Sequence, residues 1–241
     1  MKIALLGYGK MGKAIERVAT ARGHEIVLTV DEYNRESVTD EQLKEADVAI
    51  EFSIPGVAVD HYLWCFRVGV PVVSGTTGWL SRRAEVEQAC SAQQGGFFYA
   101  SNFSVVVNIF FHLNRWLAKT MARFNDYRVS LEEVHHIHKL DAPSGTAITL
   151  AEGILENDPR YRTWELGVSG EQIIPIEAKR EGEVPGIHEV TYQSEVDEIT
   201  ISHVAHTRDG FAIGAVMAAE FMPGKKGLYG MSDLLPLESF G

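Results

Sequence analysis

Three of the nine histidines fall within four residues, His135, His136 and His138, and Lys139 follows them directly. Histidine titrates near neutrality, so it can deliver a proton at pH 7. Lysine adds a fixed positive charge. After Leu140 the chain reads Asp141-Ala-Pro-Ser-Gly-Thr-Ala147. Pro143 to Thr146 has the form of a helix entry with Ser144 at the N-cap. The N–H groups of Gly145 and Thr146 are then free to bind a carboxylate, with the Thr146 hydroxyl beside them. One short segment thus offers a proton donor, a cation and an anion cradle. Two other readings of the histidines stay open. One is a set of structural side chains satisfied within the fold. The other is a metal site, which the spacing disfavours. Neighbours on a strand point to opposite faces, so His135 and His136 do not readily share an ion. No cysteine lies nearby and no HExxH occurs, so no metal is expected.

A second constellation lies at the start. Gly7-Tyr8-Gly9-Lys10-Met11-Gly12 is a GxGxxG between an expected strand and an expected helix, the context a dinucleotide site requires. The first glycine allows a tight turn, the second lets backbone approach a pyrophosphate, and the third lets helix and strand pack. Asp31 lies 19 residues past Gly12, close to the spacing expected of an acid that bonds the ribose hydroxyls. Asp31 and Glu32 together repel a 2′-phosphate, so NADH is the expected cofactor. Arg35 nearby keeps NADPH possible.

These residues need elements to hold them. Ile3–Leu6, Glu25–Val30, Val48–Phe52, Pro71–Ser74 and Gly96–Tyr99 read as strands. Helical patterns at Met11–Ala21, Pro55–Val68 and Arg82–Ala92 fall between them. That alternation implies βαβ units and a parallel sheet. The pattern then changes. Val105–Phe124 reads as a long amphipathic helix, Tyr127–His136 as a strand and Ser144–Asn157 as a helix. Ile173–Ala178, His188–Glu195 and Glu198–His206 read as an antiparallel meander, and Ala212–Met222 returns to helix. The expected fold is α/β: a Rossmann-type doubly wound parallel sheet, plus an α+β substrate and oligomerisation domain with a mixed, largely antiparallel sheet. The expected domains are 1–103, completed by 209–241, for the dinucleotide, and 104–208 for substrate and assembly.

The chain has 241 residues, and 33 acids against 22 bases set a net charge of −11. That balance argues against nucleic-acid and membrane partners, which call for basic surface. It does not exclude small anions, because the sum hides local charge. Asp31 to Glu51 holds eight acids against Arg35 and Lys44, whereas Phe103 to Arg128 holds one acid against four bases. No apolar stretch reaches the ~18 residues of a membrane span, and no signal-peptide pattern opens the sequence. Cys65 and Cys90 form no CxxC and are expected to be buried. A cytoplasmic location is the expectation.

Glu133-Val-His-His-Ile-His-Lys-Leu-Asp-Ala-Pro-Ser-Gly-Thr-Ala147 closely resembles the signature of the 4-hydroxy-tetrahydrodipicolinate (dihydrodipicolinate) reductases of lysine biosynthesis. The resemblance runs over nearly the whole chain. Gly7–Gly12 is similar to the family's cofactor loop, and Gly75-Thr76-Thr77-Gly78 to its nicotinamide-side loop. Ala100-Ser101-Asn102-Phe103-Ser104 is similar to its interdomain hinge. Gly224–Met231 is similar to its C-terminal return to the first domain. The resemblance implies NAD(P)H-dependent reduction of a cyclic dicarboxylate, 4-hydroxy-tetrahydrodipicolinate, to tetrahydrodipicolinate in the diaminopimelate route. It implies hydride transfer to ring C4 and loss of water. His135 would be the proton donor, with Lys139 assisting as acid and holding a carboxylate. His136, Gly145, Thr146 and Thr77 would bind substrate. Gly7 to Gly12, Asp31, Gly75, Thr76, Thr77 and Ala100 to Phe103 would bind cofactor. A homotetramer joined through second-domain sheets is also implied.

The sequence departs from the commoner family pattern in two places. It is shorter by about one strand–helix unit between Asp31 and Val48, and Glu32 stands where many members carry an arginine for the 2′-phosphate. Arg208 is a candidate substrate-facing arginine, and His203 and His206 read as sheet residues. Two alternatives carry other functions. A related two-domain NAD-dependent amino- or imino-acid dehydrogenase would need another substrate geometry. A non-catalytic nucleotide sensor would need a basic helix-turn-helix or partner module, and neither is evident.

Overall fold

The computed structural model of the protein describes residues 1–207 and 209–237; Arg208 therefore lies outside the described residues. In chain order the elements are β1 (Lys2–Leu6), α1 (Lys10–Ala21), β2 (Glu25–Val30), α2 (Asp40–Lys44), β3 (Val48–Glu51), α3 (Pro55–Val68), β4 (Val72–Ser74), α4 (Arg83–Ala92), β5 (Gly96–Tyr99) and α5 (Val105–Met121). Then follow β6 (Arg128–His135), α6 (Gly145–Leu155), β7 (Thr163–Leu166), β8 (Ile173–Arg180), β9 (Gly186–Gln193), β10 (Glu198–Ala205), α7 (Asp209–Phe221), β11 (Gly227–Tyr229) and α8 (Met231–Leu234). They form two compact units. The first joins Met1–Val105 to Asp209–Pro236, and the second is drawn from residues 106–207 and Leu237.

The first unit is a six-stranded sheet in the order β11-β5-β4-β3-β1-β2, parallel throughout. β3 and β4 are wholly buried, which is why both read as continuous apolar runs. Alternate residues feed two cores, so helices cover both faces. Ala4, Leu6 and Val72 pack with Tyr62, Trp64 and Phe66 of α3 and Val86 of α4. Ile3, Leu5, Ile50 and Phe98 pack with Ile15 of α1 and Ala212, Ala215 and Ala219 of α7. The face of α7 on this core is rich in alanine. A Cβ on Gly214 would stand 1.7 Å from the Phe103 carbonyl oxygen. Between β2 and β3 there is only a 3₁₀ turn at Arg35–Ser37 and the five residues of α2, the latter closed by a capping box between Thr39 and Gln42.

The second unit packs α5 and α6 against one face of a five-stranded sheet ordered β10-β9-β6-β8-β7. β10–β9 and β9–β6 are antiparallel, while β6–β8 and β8–β7 are parallel. The sheet is mixed, and its two antiparallel ladders are longer than its two parallel ones. The expected meander over 173–206 holds only for β9 and β10, because β6 lies between β9 and β8. Alternation specifies which face of a strand is buried, not which strand lies beside it. β7 was not foreseen: its four residues are mostly exposed and lack the apolar alternation that marks a strand. Both cysteines are buried, and burial raises both thiol pKa values.

Candidate active site

In the first unit the expected cofactor residues gather at the C-terminal ends of the parallel strands, where open α/β sheets bind ligands. β1 is flanked by β2 and β3, so the chain switches direction across the sheet at Gly7. Gly7 has φ +101°, and a Cβ there would lie 2.2 Å from the Phe52 carbonyl oxygen. Gly12 faces inward, 2.3 Å from the Gly7 carbonyl oxygen by the same measure. Gly9 differs, because a Cβ would meet nothing within 4 Å. The first and third glycines serve the fold, and the second leaves a clear approach to the start of α1. No side chain caps that helix and its first turn carries no acid, so its N–H groups remain available to a phosphate. Tyr8 turns back, its hydroxyl donating to Glu16, and Lys10 is exposed beside Met11. This open helix start, cleared of side chains, fits a dinucleotide pyrophosphate.

Asp31 follows β2. Its Oδ1 accepts the N–H groups of Tyr33 (2.9 Å) and Asn34 (3.1 Å), which shapes the turn it sits on. Arg35 stacks on Trp64, its guanidinium 4.6 Å from the ring centroid. After β4, Gly75 passes so close to Phe52 that a Cβ would overlap the ring. Thr76 is buried and accepts the Ser53 N–H at 2.9 Å, while Thr77 is exposed. After β5, Ala100 and Phe103 turn inward, and Phe103 packs against Phe52 and Phe98. Of that segment, Ser101 is exposed and Asn102 half-buried.

A buried carboxylate lies beneath these loops. Glu51 is fully buried at the end of β3. It accepts the Ser74 hydroxyl at 2.8 Å, the Ser53 N–H at 3.2 Å and the Ser53 hydroxyl. Tyr62 shares a hydrogen bond with Ser74 at 2.6 Å, and the His61 ring is 3.5 Å away. This network ties the ends of β3 and β4 together.

In the second unit, β6 ends at His135, and the loop to α6 carries Lys139 and the helix entry. Ser144 caps α6 as expected, its hydroxyl accepting the Ala147 N–H at 3.2 Å. Among the described residues the N–H groups of Gly145 and Thr146 have no acceptor within the chain. A Cβ on Gly145 would meet nothing within 4 Å, so the cradle is open. Lys139 is held by both carboxylate oxygens of Asp141, at 2.8 Å each. That contact lowers the Asp141 pKa and places a carboxylate where an anion would sit. His136 is half-buried with no partner for Nδ1, and exposed His138 reaches Glu183 at 3.3 Å.

Around His135 the sheet brings together residues that the local pattern does not connect. Glu133 is fully buried one turn of the strand earlier. Its Oε2 accepts the Ser144 N–H at 3.0 Å and lies 3.6 Å from His135 Nδ1 and 3.7 Å from His188 Nε2. Its Oε1 meets the Arg180 guanidinium at 3.3 Å, and Arg180 also donates to the Asp141 carbonyl at 2.7 Å. His188 stands opposite Glu133 across the β6–β9 ladder and bonds Ser144 Oγ at 3.0 Å. Burial lowers the His135 pKa, the Glu133 charge pulls it back up, and Lys139 and Arg180 push it down. Burial, with His135, His203 and Lys139, pushes His188 down to about 3. His203 pairs across from His188 in the sheet, and His206 is exposed beyond β10.

Glu133, His135 and His188 bring possible ligand atoms within 4.8 Å of one another. They do not suit a divalent ion. The Ser144 N–H and the Arg180 guanidinium already occupy the Glu133 oxygens, the Ser144 hydroxyl occupies His188 Nε2, and the guanidinium puts a cation alongside. Sequence reasoning missed Glu133, Arg180 and His188. Glu133 lies in the quoted motif without a role, and the other two reach it through strand pairing, for which the sequence carries no local signal.

Residues 1–103 match the family description "Dihydrodipicolinate reductase, N-terminus", and residues 106–235 match "Dihydrodipicolinate reductase, C-terminus". The chain is 49% identical over 237 residues to the 4-hydroxy-tetrahydrodipicolinate reductase of Christiangramia forsetii, covering 98% of each. It is 38% identical to that of Methanosarcina barkeri, over 86% of this chain and 79% of the other. Among solved structures, the dipicolinate-bound dihydrodipicolinate reductase of Paenisporosarcina sp. TG-14 shares the fold. Its TM-score is 0.77 at 24% identity, over 98% of this chain and 99% of that one.

Proposed function

The chain belongs to the dihydrodipicolinate reductase family of pyridine-nucleotide oxidoreductases, and we propose that it reduces 4-hydroxy-tetrahydrodipicolinate to tetrahydrodipicolinate with loss of water. The observation that carries this reading is the juxtaposition of His135, Lys139 and the uncapped N–H groups of Gly145 and Thr146 on one loop–helix junction. A cyclic dicarboxylate offers two anions, and this junction offers two anion sites beside a proton donor.

On this reading the first unit binds the cofactor. The start of α1 receives the pyrophosphate, Asp31 the adenosine ribose, and Thr76 and Thr77 the nicotinamide side. When bound, the nicotinamide supplies hydride to ring C4. Asp31 and Glu32 oppose a 2′-phosphate, and nearby Arg35 is stacked on Trp64. NADH is therefore the preferred donor. In the second unit, one substrate carboxylate lies on Gly145 and Thr146 at the helix start, where the dipole favours it. The other displaces Asp141 from Lys139. His136 borders the substrate. Bringing these anions beside His135 raises its proton affinity, which counters the effect of burial. His135 then protonates the carbon adjacent to C4. The face of the second sheet away from α5 and α6 exposes Ser130, Thr200 and Ser202, and assembly through it makes a homotetramer. No helix among the described residues is long and apolar enough to cross a membrane, and a cytoplasmic site of action is part of the proposal.

The test generates the substrate in place from pyruvate and aspartate semialdehyde with the preceding synthase, and follows NADH loss by its near-ultraviolet absorbance. Turnover with NADH, at higher kcat/KM than with NADPH, is the expected result. No turnover with either defeats the assignment, and equal kcat/KM values defeat the cofactor preference.

A further inference from the structure

The environment of His135 distinguishes its two ring nitrogens. Nδ1 is the buried one and has no hydrogen-bond partner. The Glu133 carboxylate faces it, with Oε2 3.6 Å away. Nε2 points toward Gly186, where a Cβ would come within 3.2 Å of it. Gly186 sits at φ +159°, at the border of the region that favours glycine. The missing side chain thus keeps the approach to Nε2 clear. Glu133 itself cannot swing away. It is fully buried, and the Ser144 N–H and the Arg180 guanidinium grip its two oxygens.

From this arrangement we infer that Glu133 is a positioning residue for the proton donor. Its carboxylate keeps a proton on His135 Nδ1, so that Nε2 is the nitrogen that gives its proton to the substrate. The inference rests on the reading of His135 as that donor. The proton balance is simple. The imidazolium loses the Nε2 proton to the ring carbon, the Nδ1 proton stays facing Glu133, and solvent returns a proton to Nε2 before the next turnover. A buried Nδ1–H facing no negative group would be penalised, so the neutral ring left after transfer is stabilised by the Glu133 charge 3.6 Å away.

The other charged or titratable groups facing His135 do not replace it. Lys139 and Arg180 are cations that oppose the imidazolium, and exposed Asp141 supports it less than Glu133 does. His188, with its pKa pushed down to about 3, is neutral and bonds Ser144. Glu133 also holds the backbone N–H of the α6 N-cap. One carboxylate therefore sets the proton donor and the anion cradle in register.

Two measurements test this. In the wild-type chain labelled with 15N-histidine, neutral His135 is expected to carry its proton on Nδ1. A proton on Nε2 would overturn the inference, and this measurement requires no variant to fold. In Glu133→Gln the amide fills the same space but lacks the charge. Its loss lowers the His135 pKa, so the decline of kcat on the basic side moves to lower pH. At pH 8 kcat falls about tenfold or more, with a smaller change in KM. An unmoved profile in a folded variant would overturn the inference, since a purely structural role would lower Tm alone. If the wild-type chain does not turn over the dicarboxylate, the functional reading fails. Tautomer and NMR titration of His135 in the two proteins then decide the role of Glu133 separately.

Discussion

Each unit sets its functional edge on a carboxylate that solvent does not reach, Glu51 at the end of β3 and Glu133 near the end of β6. Their partners differ in kind. Glu51 is met by the hydroxyls of Ser53 and Ser74 and the Ser53 N–H, with Tyr62 behind Ser74 and the His61 imidazole 3.5 Å away. Glu133 is met by a guanidinium and a backbone N–H, with two imidazoles close by. Hydroxyls satisfy a buried anion without bringing a full opposite charge, so the Glu51 network fixes loop geometry and little else. The Arg180 guanidinium makes the Glu133 network an electrostatic device. On the proposed function, the first suits a loop that only has to hold a cofactor, and the second a site that has to move a proton.

The largest expected effect lies in the second network. His135→Gln should lower kcat by about 10²–10⁴-fold, the usual worth of a general acid. Binding of NADH, followed by its fluorescence, should be nearly unchanged. Turnover at the wild-type level would remove the reason for contrasting the two networks. Lys139→Ala should raise KM for the dicarboxylate and lower kcat. Together these should cost about ten- to a hundredfold in kcat/KM, the size of a charged hydrogen bond. If neither parameter moves, Lys139 does not hold the substrate carboxylate.

Glu51→Gln tests the other side of the comparison. The amide cannot accept from every hydroxyl and N–H that Glu51 now serves. The Gly75–Thr77 loop should loosen and NADH binding should weaken by about three- to tenfold. The pH profile of kcat should stay in place. A profile displaced as in Glu133→Gln would show that both carboxylates act electrostatically.

The last effect concerns stability rather than turnover. His188 is neutral when folded, with its pKa near 3 against an ordinary 6.5. The unfolded chain therefore binds a proton that the folded chain refuses. The stability is fully present above pH 6.5 and falls as pH drops from 6.5 toward 3, at about 1.4 kcal/mol per pH unit. Denaturant titrations of wild type and His188→Gln across that window should differ in slope by this amount. Parallel slopes would show that His188 titrates normally.

Much of this was legible in the residues. The glycine loop, its acid and the βαβ rhythm specified the first sheet because a parallel, doubly covered sheet demands continuous apolar strands and tight glycine turns. The loop from His135 to Thr146 displayed its chemistry because an N-cap and the residues just before it are local features. Strand neighbours are not. Nothing near Ile173 or His188 tells that β6 lies between them, so the second sheet was expected as a meander, and β7 was missed.

The sequence by itself determined which groups this protein has for chemistry: a helix start cleared for a phosphate, a histidine, a lysine and two free N–H groups. The tertiary structure decided how they are governed. Arg180 and His188 come from β8 and β9, 47 and 55 residues beyond Glu133 in the chain, and register alone brings them onto its carboxylate. Proton affinity and tautomer depend on distances between side chains far apart in the chain, and those distances exist only once the strands have paired.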